Sequence, residues 1–272
     1  MKLHFYGTGA SEGVPAIFCH CENCRKARVL GGKDIRTRSS LGVDEELLID
    51  FSSDVMAHMC RDNLDMTKIK YLFVTHSHSD HFCGEELLHI APPYAWYQEK
   101  HVLSLYGNGM VKKKLLAAGN KEDGEYLKFH LIEDGVWYEA GDYLIMPVPA
   151  RHDPLEECHL FAVKRGDKTI LYGHDSAFFS EEAWEMMSGL HFSAVILDCT
   201  CGYGPSVFEH HMGFEDNLRI CERMKAASMA DENTVFVSTH FAHTFAPFHG
   251  EMTEKMKTHG FIAAYDGLQL EV

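Results

Sequence analysis

Short apolar runs alternate with polar, often glycine-containing segments along the whole chain. Runs that are rich in branched and aromatic side chains and bounded by turn residues are typical of buried β-strands. The predicted strands are Leu3–Tyr6, Ser40–Val43, Glu46–Phe51, Tyr71–Thr75, Val102–Tyr106, Phe129–Leu131, Tyr143–Val148, Leu160–Lys164, Thr169–Tyr172, Ala194–Asp198, Thr234–Ser238 and Phe261–Ala264.

Helix-like stretches lie between many of these strands. The predicted helices are Asp54–Asn63, Glu85–His89, Asn108–Ala118, Glu181–Met187, Asn217–Ala226 and Met252–His259. Hairpins come first, and strands alternate with helices afterwards. This order predicts an α/β fold in which helices cover two mixed β-sheets.

The sequence contains no Pro/Gly/Ser-rich segment of the kind that links domains, and it contains no internal repeat. We therefore predict a single domain over residues 1–272. The segment at about 91–130 is long and aromatic, with Tyr94, Trp96 and Tyr97 near its start. We therefore treat it as insertion-like and expect it to cover a pocket or to support a homodimer.

A dense group of potential metal ligands follows the predicted strand Tyr71–Thr75. The residues are His76, His78, Asp80 and His81. Imidazole nitrogens and a carboxylate oxygen are the ligands that zinc, manganese and iron accept. Residues two apart face away from each other on a helix, so this spacing suits a strand end and the turn after it. Four candidates so close together indicate two ions that share a site.

Three later residues repeat the same arrangement of a hydrophobic strand followed by a polar side chain. His152, Asp175 and His240 each follow a predicted strand and are candidates to complete the metal site. Asp50 also ends an apolar run, just before a predicted helix. It would either cap that helix or orient a metal ligand through a hydrogen bond.

Cys19, Cys21 and Cys24 form a C-x-C-x2-C cluster in the loop after the first strand. Three closely spaced thiols can converge on one tetrahedral ion and leave one position for a further ligand. Redox-active or buried thiols are the alternative. His20 lies inside the cluster and could compete as a ligand. His243 follows His240 by three residues, so the two histidines could serve different sites.

Composition narrows the classes of function. The net charge of −15 disfavours a nucleic-acid polymer as partner, because such proteins bind phosphate through lysine and arginine. No apolar stretch approaches the ~20 residues of a membrane span, and no secretory signal is apparent, so we expect a cytoplasmic protein. Nine cysteines, an odd number, do not suggest a disulfide framework.

The strand, the T-H-x-H-x-D-H motif and the later His, Asp and His resemble the metallo-β-lactamase superfamily, whose fold is an αβ/βα sandwich. The resemblance implies two divalent ions, of manganese, zinc or iron. By this resemblance His76, His78 and His152 hold one ion and Asp80, His81 and His240 hold the other. Asp175 then bridges the two ions, and a metal-bound hydroxide attacks the substrate.

The cysteine cluster and the segments Gly7–Pro15, Asp198–Cys199 and Asp266–Gly267 resemble, more narrowly, the PhnP-type phosphodiesterases of phosphonate breakdown. In that group a structural zinc would be held by Cys19, Cys21, Cys24 and His243. The expected substrates are small cyclic phosphodiesters, such as ribosyl cyclic phosphate or 2′,3′-cyclic nucleotides.

The same resemblance makes Asp80 and His211 the candidate catalytic residues. His211 would protonate the leaving alkoxide or hold the phosphate, and a structural imidazole is the alternative; the adjacent His210 could be confused with it. Arg36 and Arg38 either contact phosphate or, as we expect, lie on a solvated surface.

Two other classes of function stay open. One is a tRNA 3′-processing endonuclease, for which Lys112–Lys114 is the only basic run that could serve as an RNA-binding arm. The other is an accessory protein of the kind used in PQQ biosynthesis. Thioesterase or lactamase activity is a further alternative within the superfamily.

Overall fold

The computed structural model describes residues 1–245 and 248–272. In this part of the chain, fourteen strands form two seven-stranded sheets. The strands are β1 Lys2–Gly7, β2 Ser40–Val43, β3 Leu47–Ile49, β4 Tyr71–Phe73, β5 Leu103–Gly107, β6 Leu127–Leu131, β7 Tyr138–Ala140, β8 Tyr143–Pro149, β9 His159–Arg165, β10 Lys168–Gly173, β11 Ala194–Asp198, β12 Val235–Thr239, β13 Phe261–Ala263 and β14 Leu268–Glu271.

Both sheets are mixed. The first has the order β14-β1-β2-β3-β4-β5-β6, antiparallel from β14 to β3 and parallel from β3 to β6. The second has the order β13-β12-β11-β10-β9-β8-β7, parallel from β13 to β10 and antiparallel from β10 to β7. Two mixed sheets with helices outside confirm the predicted αβ/βα sandwich.

Six α-helices lie in the described residues. They are α1 Glu22–Leu30, α2 Val55–Asp62, α3 Gly109–Ala117, α4 Glu181–Met186, α5 Phe214–Ala226 and α6 His249–Lys257. Three elements, α1, β7 and β14, were not predicted from the sequence. Helix α1 was not predicted because the cysteines before it suggested a metal-binding loop, although the Cys21 thiol in fact caps this helix by accepting from the Cys24 amide.

The predicted helix Glu85–His89 is wrong in type. The structure has a short 3-10 helix at Glu86–Ile90 instead. Two prolines follow at Pro92 and Pro93. A proline ring lacks an amide donor and restricts the residue before it, so the turn cannot continue as a regular α-helix.

The main core lies between the two sheets. On each strand, every second side chain points into this core. Phe73 of β4 and Phe161 of β9, for example, are fully buried there. Their rings meet edge-on with centroids 5.5 Å apart. The alternate residues of the same strands face outward and pack under the helices, as Leu171 of β10 does near α4 and α5. Strands buried on both faces explain why the apolar runs are continuous.

The segment at about 91–130 contributes to the first sheet. It contains β5, α3 and the first residues of β6, and Trp96 in the loop before β5 is 80% exposed. The single-domain organisation and the role of this segment stay predictions. None of the helices described is both long and apolar enough to cross a membrane.

Arg36 corrects one expectation. The predicted position of Arg36 on a solvated surface is wrong, because its side chain is buried. The guanidinium donates to Thr8 Oγ1 and to the backbone oxygen of Ala264, both at 2.7 Å, and lies over the Phe241 ring. Arg38 is half-buried and pairs with Asp54 at 3.0 Å. Neither arginine therefore has the free surface position that was expected.

Truncation of the ring between the sheets provides a test of this core. We expect Phe161→Ala to lower the free energy of unfolding by about 3–5 kcal/mol, because it leaves a cavity where the sheets meet. Urea unfolding followed by circular dichroism measures the change. Phe18→Ala is the matched control, since Phe18 is 97% exposed, and should change stability by less than about 0.5 kcal/mol. A loss below about 1 kcal/mol for Phe161→Ala would contradict this account of the core.

Candidate metal centre

The ends of strands from both sheets meet at one edge of the sandwich. The turn after β4 supplies the H-x-H-x-D-H motif from the first sheet. The turns after β10 and β12 supply Asp175 and His240 from the second sheet, and the turn after β8 supplies His152. The sandwich therefore brings together residues that are far apart in the sequence.

Three of these strand ends share an unusual backbone conformation. Asp50, Asp175 and His240 have φ values of 62°, 58° and 59°. The left-handed region is uncommon for residues other than glycine, and it recurs at functional sites. In each case the strand stops and the chain turns sharply at the residue whose side chain enters the site.

Among the described residues, three groups of four candidate ligands share Asp175. One of them, Asp175, Asp198, His211 and His240, contains the candidate catalytic His211, and the other two contain the predicted metal ligands. Within each group the ligand atoms all lie within 4.8 Å of one another. Of the two groups of predicted metal ligands, the first is His76, His78, His152 and Asp175, and the second is Asp80, His81, Asp175 and His240. The structure thus brings together the seven residues assigned by resemblance. It also places them in the two groups that were predicted for the two ions, with Asp175 in both.

The donor atoms fit divalent metal ions. His76 Nε2, His81 Nε2, His240 Nε2 and Asp175 Oδ1 are buried, and among the described residues none of them makes a hydrogen bond of good geometry, although imidazoles and carboxylates crowd around them. Such atoms are costly to bury unless something else satisfies them. Asp175 Oδ2 lies 3.0 Å from His81 Nε2 and 3.3 Å from His76 Nε2. Nitrogen and carboxylate ligands converging in this way suit zinc, manganese or iron.

Despite burial, carboxylates raise the pKa of two of the candidate ligands, Asp80 that of His81 and Asp175 that of His240, so a metal ion would displace a proton from each of them. His76 and Asp175 are already in the charge state that a ligand needs. Burial lowers the pKa of His76 well below its usual value, so the imidazole is neutral and can ligate. Burial by itself would raise the pKa of Asp175, but the imidazoles of His240 and His152 outweigh it and lower that pKa well below its usual value. The carboxylate is therefore charged at the centre of the site.

Asp50 holds His81, a candidate metal ligand, and does not cap a helix. Its Oδ2 accepts from His81 Nδ1 at 2.8 Å and from the Tyr172 hydroxyl at 3.2 Å. Its Oδ1 accepts from the Thr75 amide and hydroxyl, both at 2.9 Å. Asp54, and not Asp50, is the residue at the N-terminal cap of α2, so the capping role expected as one alternative for Asp50 is wrong. The hydrogen bond to Nδ1 leaves His81 Nε2 directed into the site.

Two acidic residues that the sequence analysis did not identify support the other side of the site. His78 Nε2 lies 2.9 Å from Asp153 Oδ2, which leaves His78 Nδ1 near His152 Nε2 at 3.1 Å. Glu156 accepts from the Ser77 amide at 3.0 Å and from its hydroxyl at 2.9 Å. The position of Asp153 directly after His152 was a usable signal, whereas nothing in the sequence marks Glu156.

His211, and not His210, faces the centre. His211 Nδ1 lies 3.0 Å from Asp175 Oδ1 and 3.1 Å from Asp198 Oδ2. Burial favours a low pKa, but the carboxylates of Asp198 and Asp175 outweigh it and raise the pKa of His211 to about 11. His210 is exposed, and its backbone oxygen lies 3.4 Å from His152 Nδ1.

The cysteine cluster forms a separate group with His243. Cys21 Sγ and Cys24 Sγ lie 3.5 Å and 3.4 Å from His243 Nδ1, and Cys19 completes the set. The Ala16 amide donates to Cys24 Sγ at 3.3 Å, as amides do around metal-bound thiolates. His20 is exposed and outside the group. All nine cysteines are free thiols.

A cavity of about 430 Å³ opens above the metal-ligand candidates. Its inner surface includes His78, Asp80, His152, Asp175, His211 and His240. Its outer wall includes Ser11 and Glu12 from the loop after β1, Thr200 and Phe208 from the segment before α5, and Phe245. The volume and the ligand sets indicate a site for a small molecule.

Comparison with known proteins assigns a family to most of the chain. The model of the β-lactamase superfamily domain matches residues 45–241. Ribonuclease Z of Picosynechococcus sp. is 26% identical over 155 residues, which make up 56% of this chain and 44% of that protein. The chain spans half or less of the length of the curated relatives that it matches.

Solved structures share the fold over the whole chain. A diphosphatase of the PhnP family aligns with 100% of this chain and 97% of its own, with a TM-score of 0.76 and 24% identity. Zn²⁺-bound PqqB from Methylobacterium extorquens aligns with 100% of both chains, with a TM-score of 0.71 and 18% identity. At these identities the likeness shows the fold.

The Asp50 contacts generate a test of the site. We expect Asp50→Asn to weaken metal binding by about 10- to 100-fold, because an amide cannot accept from both the Thr75 amide and His81 Nδ1. Isothermal titration of the metal-free protein with Mn²⁺ or Zn²⁺ measures the affinity. Asp123→Asn is the control, since that side chain is 77% exposed. Unchanged affinity in a folded Asp50→Asn protein would show that Asp50 does not orient a ligand.

Proposed function

The chain belongs to the β-lactamase superfamily, as its motifs indicated, and from this premise we propose that it is a metal-dependent hydrolase of small phosphodiesters. The predicted substrates are cyclic phosphodiesters, such as ribosyl cyclic phosphate or 2′,3′-cyclic nucleotides. The observation that carries the proposal is the pair of complete four-residue ligand groups that share Asp175 beneath a small cavity.

In this proposal the two groups hold two divalent ions of manganese, zinc or iron, and the cysteine group holds one structural zinc. Divalent ions in such a site lower the pKa of water and neutralise the charge of a phosphate. The protein's own residues fix the geometry, since Asp50 and Asp153 hold His81 and His78 in place. Asp80, buried beside His81 and His240, serves both as a ligand and as a candidate catalytic residue.

His211 is the proposed donor to the leaving oxygen. Asp198 and Asp175 engage its Nδ1, so Nε2 is the nitrogen that can serve a substrate in the cavity. The Thr200 hydroxyl lies 3.4 Å from the same Nδ1 and 2.8 Å from His240 Nδ1, which links His211 to a metal-ligand candidate. Because the two carboxylates hold the ring through Nδ1, Nε2 can donate a proton to a group in the cavity.

The ribonuclease Z alternative has less support, although a ribonuclease Z is among the relatives. Two of the three proposed RNA-binding lysines are engaged elsewhere: Lys114 Nζ donates to the backbone oxygens of Ser77 and Phe82, both at 2.9 Å, and Lys112 pairs with Glu122. A net charge of −15 also opposes binding to a polynucleotide.

Completeness of the ligand groups favours an enzyme over a PQQ-type accessory protein. A homodimer and a cytoplasmic location remain predictions.

Turnover and metal content together test the proposal. We expect the metal-loaded protein to hydrolyse bis(p-nitrophenyl) phosphate and 2′,3′-cyclic AMP, and to contain about three metal ions per chain. Asp175→Asn should lower kcat on the order of 10³-fold or more, because both ligand groups lose their shared charge. Asp123→Asn should leave kcat unchanged. A protein with about one ion per chain and no activity on either diester would rule the proposal out.

The role of His211 predicts a dependence on the leaving group. We expect His211→Gln to lower kcat by about 10²- to 10⁴-fold for 2′,3′-cyclic AMP, whose alkoxide needs a proton. The loss should be much smaller for bis(p-nitrophenyl) phosphate, because p-nitrophenolate leaves without one. His210→Gln is the neighbouring comparison and should affect both substrates little. Equal losses for both substrates in His211→Gln, with metal content retained, would contradict proton donation.

A further inference from the structure

Two phenylalanines stand partly exposed at the mouth of the cavity. Phe208 is 47% exposed and Phe245 is 38% exposed, and both line the cavity above the metal-ligand candidates. Single exposed apolar side chains are common on protein surfaces, but adjacent ones at a polar cavity mark binding sites. Neither side chain is a candidate metal ligand.

The rings of His211, Phe208 and Phe245 contact one another in this order, from the metal-ligand candidates towards the cavity mouth. The Phe208 ring meets the His211 ring edge-on, with centroids 6.2 Å apart, and meets the Phe245 ring with centroids 5.6 Å apart at 81°. One wall of the cavity is thus aromatic from His211 to its rim. A substrate whose phosphate lies at the metal-ligand candidates would place its next group along this wall.

The charges around the cavity limit what that group can be. Among the described residues that line it there is no lysine or arginine. Outside the metal-ligand candidates, the ionisable lining side chains are His210, His211 and Glu12, whose Oε1 lies 3.4 Å from His243 Nε2. His211 is held by Asp175 and Asp198 at the inner end. A second phosphate in the outer cavity would therefore meet no lysine or arginine and would face the Glu12 carboxylate. An uncharged group fits the outer cavity better.

We propose that Phe208 and Phe245 form a stacking platform for an uncharged planar ring of the substrate, and this rests on the proposed function. Every nucleobase offers a flat π-face that stacks on aromatic side chains. The preferred substrate is then a nucleoside cyclic phosphate with a single phosphate group, in preference to a sugar cyclic phosphate without a base.

Steady-state kinetics on a matched pair of substrates tests the platform. The substrates are 2′,3′-cyclic AMP and ribose 2,3-cyclic phosphate, which lacks the base. We expect Phe208→Ala and Phe245→Ala each to raise KM for 2′,3′-cyclic AMP by about 5- to 150-fold. KM for the ribose compound and kcat for both should stay close to wild type. Phe208→Tyr keeps a ring and should restore the low KM, and Phe18→Ala is the control for an exposed phenylalanine elsewhere.

Calorimetry with adenosine provides a readout that does not need turnover. Binding to the wild type that is lost in Phe208→Ala supports the platform, even if neither diester is hydrolysed and the proposed function fails. Equal KM changes for the two substrates would overturn the platform while leaving the hydrolase intact. Wild-type protein that does not bind adenosine and does not discriminate between the substrates would also overturn it.

Discussion

The carboxylate of Asp175 is the interaction on which the rest of the site depends. It is buried at the meeting point of the two sheets and lies near imidazoles from both of them, His76 and His81 on one side and His240 on the other. A lone buried carboxylate would be costly, and the surrounding imidazoles offset that cost. The same proximity makes Asp175 the residue common to both ligand groups, so the contact that joins the sheets also joins the two proposed metal positions.

A second layer of residues ties the site to the core. Asp50 ends β3 in the first sheet, yet it accepts from Tyr172 of β10 in the second sheet as well as from Thr75 and His81. Packing of the sheets and orientation of a ligand are therefore coupled through one carboxylate.

The cysteine group acts on the opposite side of the cavity. Its His243 follows the turn that carries His240, and the His243 backbone oxygen accepts from Asn23 of α1 at 2.8 Å. His243 Nε2 also lies 3.4 Å from Glu12, which lines the cavity. A zinc ion held there would fix the turn that leads to Phe245 and so shape the cavity mouth, away from the proposed chemistry. The proposed structural ion and the proposed catalytic ions would thus draw ligands, His243 and His240, from one connection after β12.

The sequence by itself determined twelve of the fourteen strands and five of the six α-helices in the described residues, and the candidate ligands. Continuous apolar runs mark strands buried on both faces, and the candidate ligands follow four of these runs, those of β4, β8, β10 and β12. Local patterns could not reveal α1, because its cysteines had a second role, and they placed Arg36 on the surface because an isolated arginine usually lies there. Only the tertiary structure decided that Asp50 supports His81, that Asp153 and Glu156 support the motif, and that His211 rather than His210 faces Asp175. These relations join residues from different strands and different sheets, and their distances are set by how the sheets pack, which no local stretch of sequence encodes.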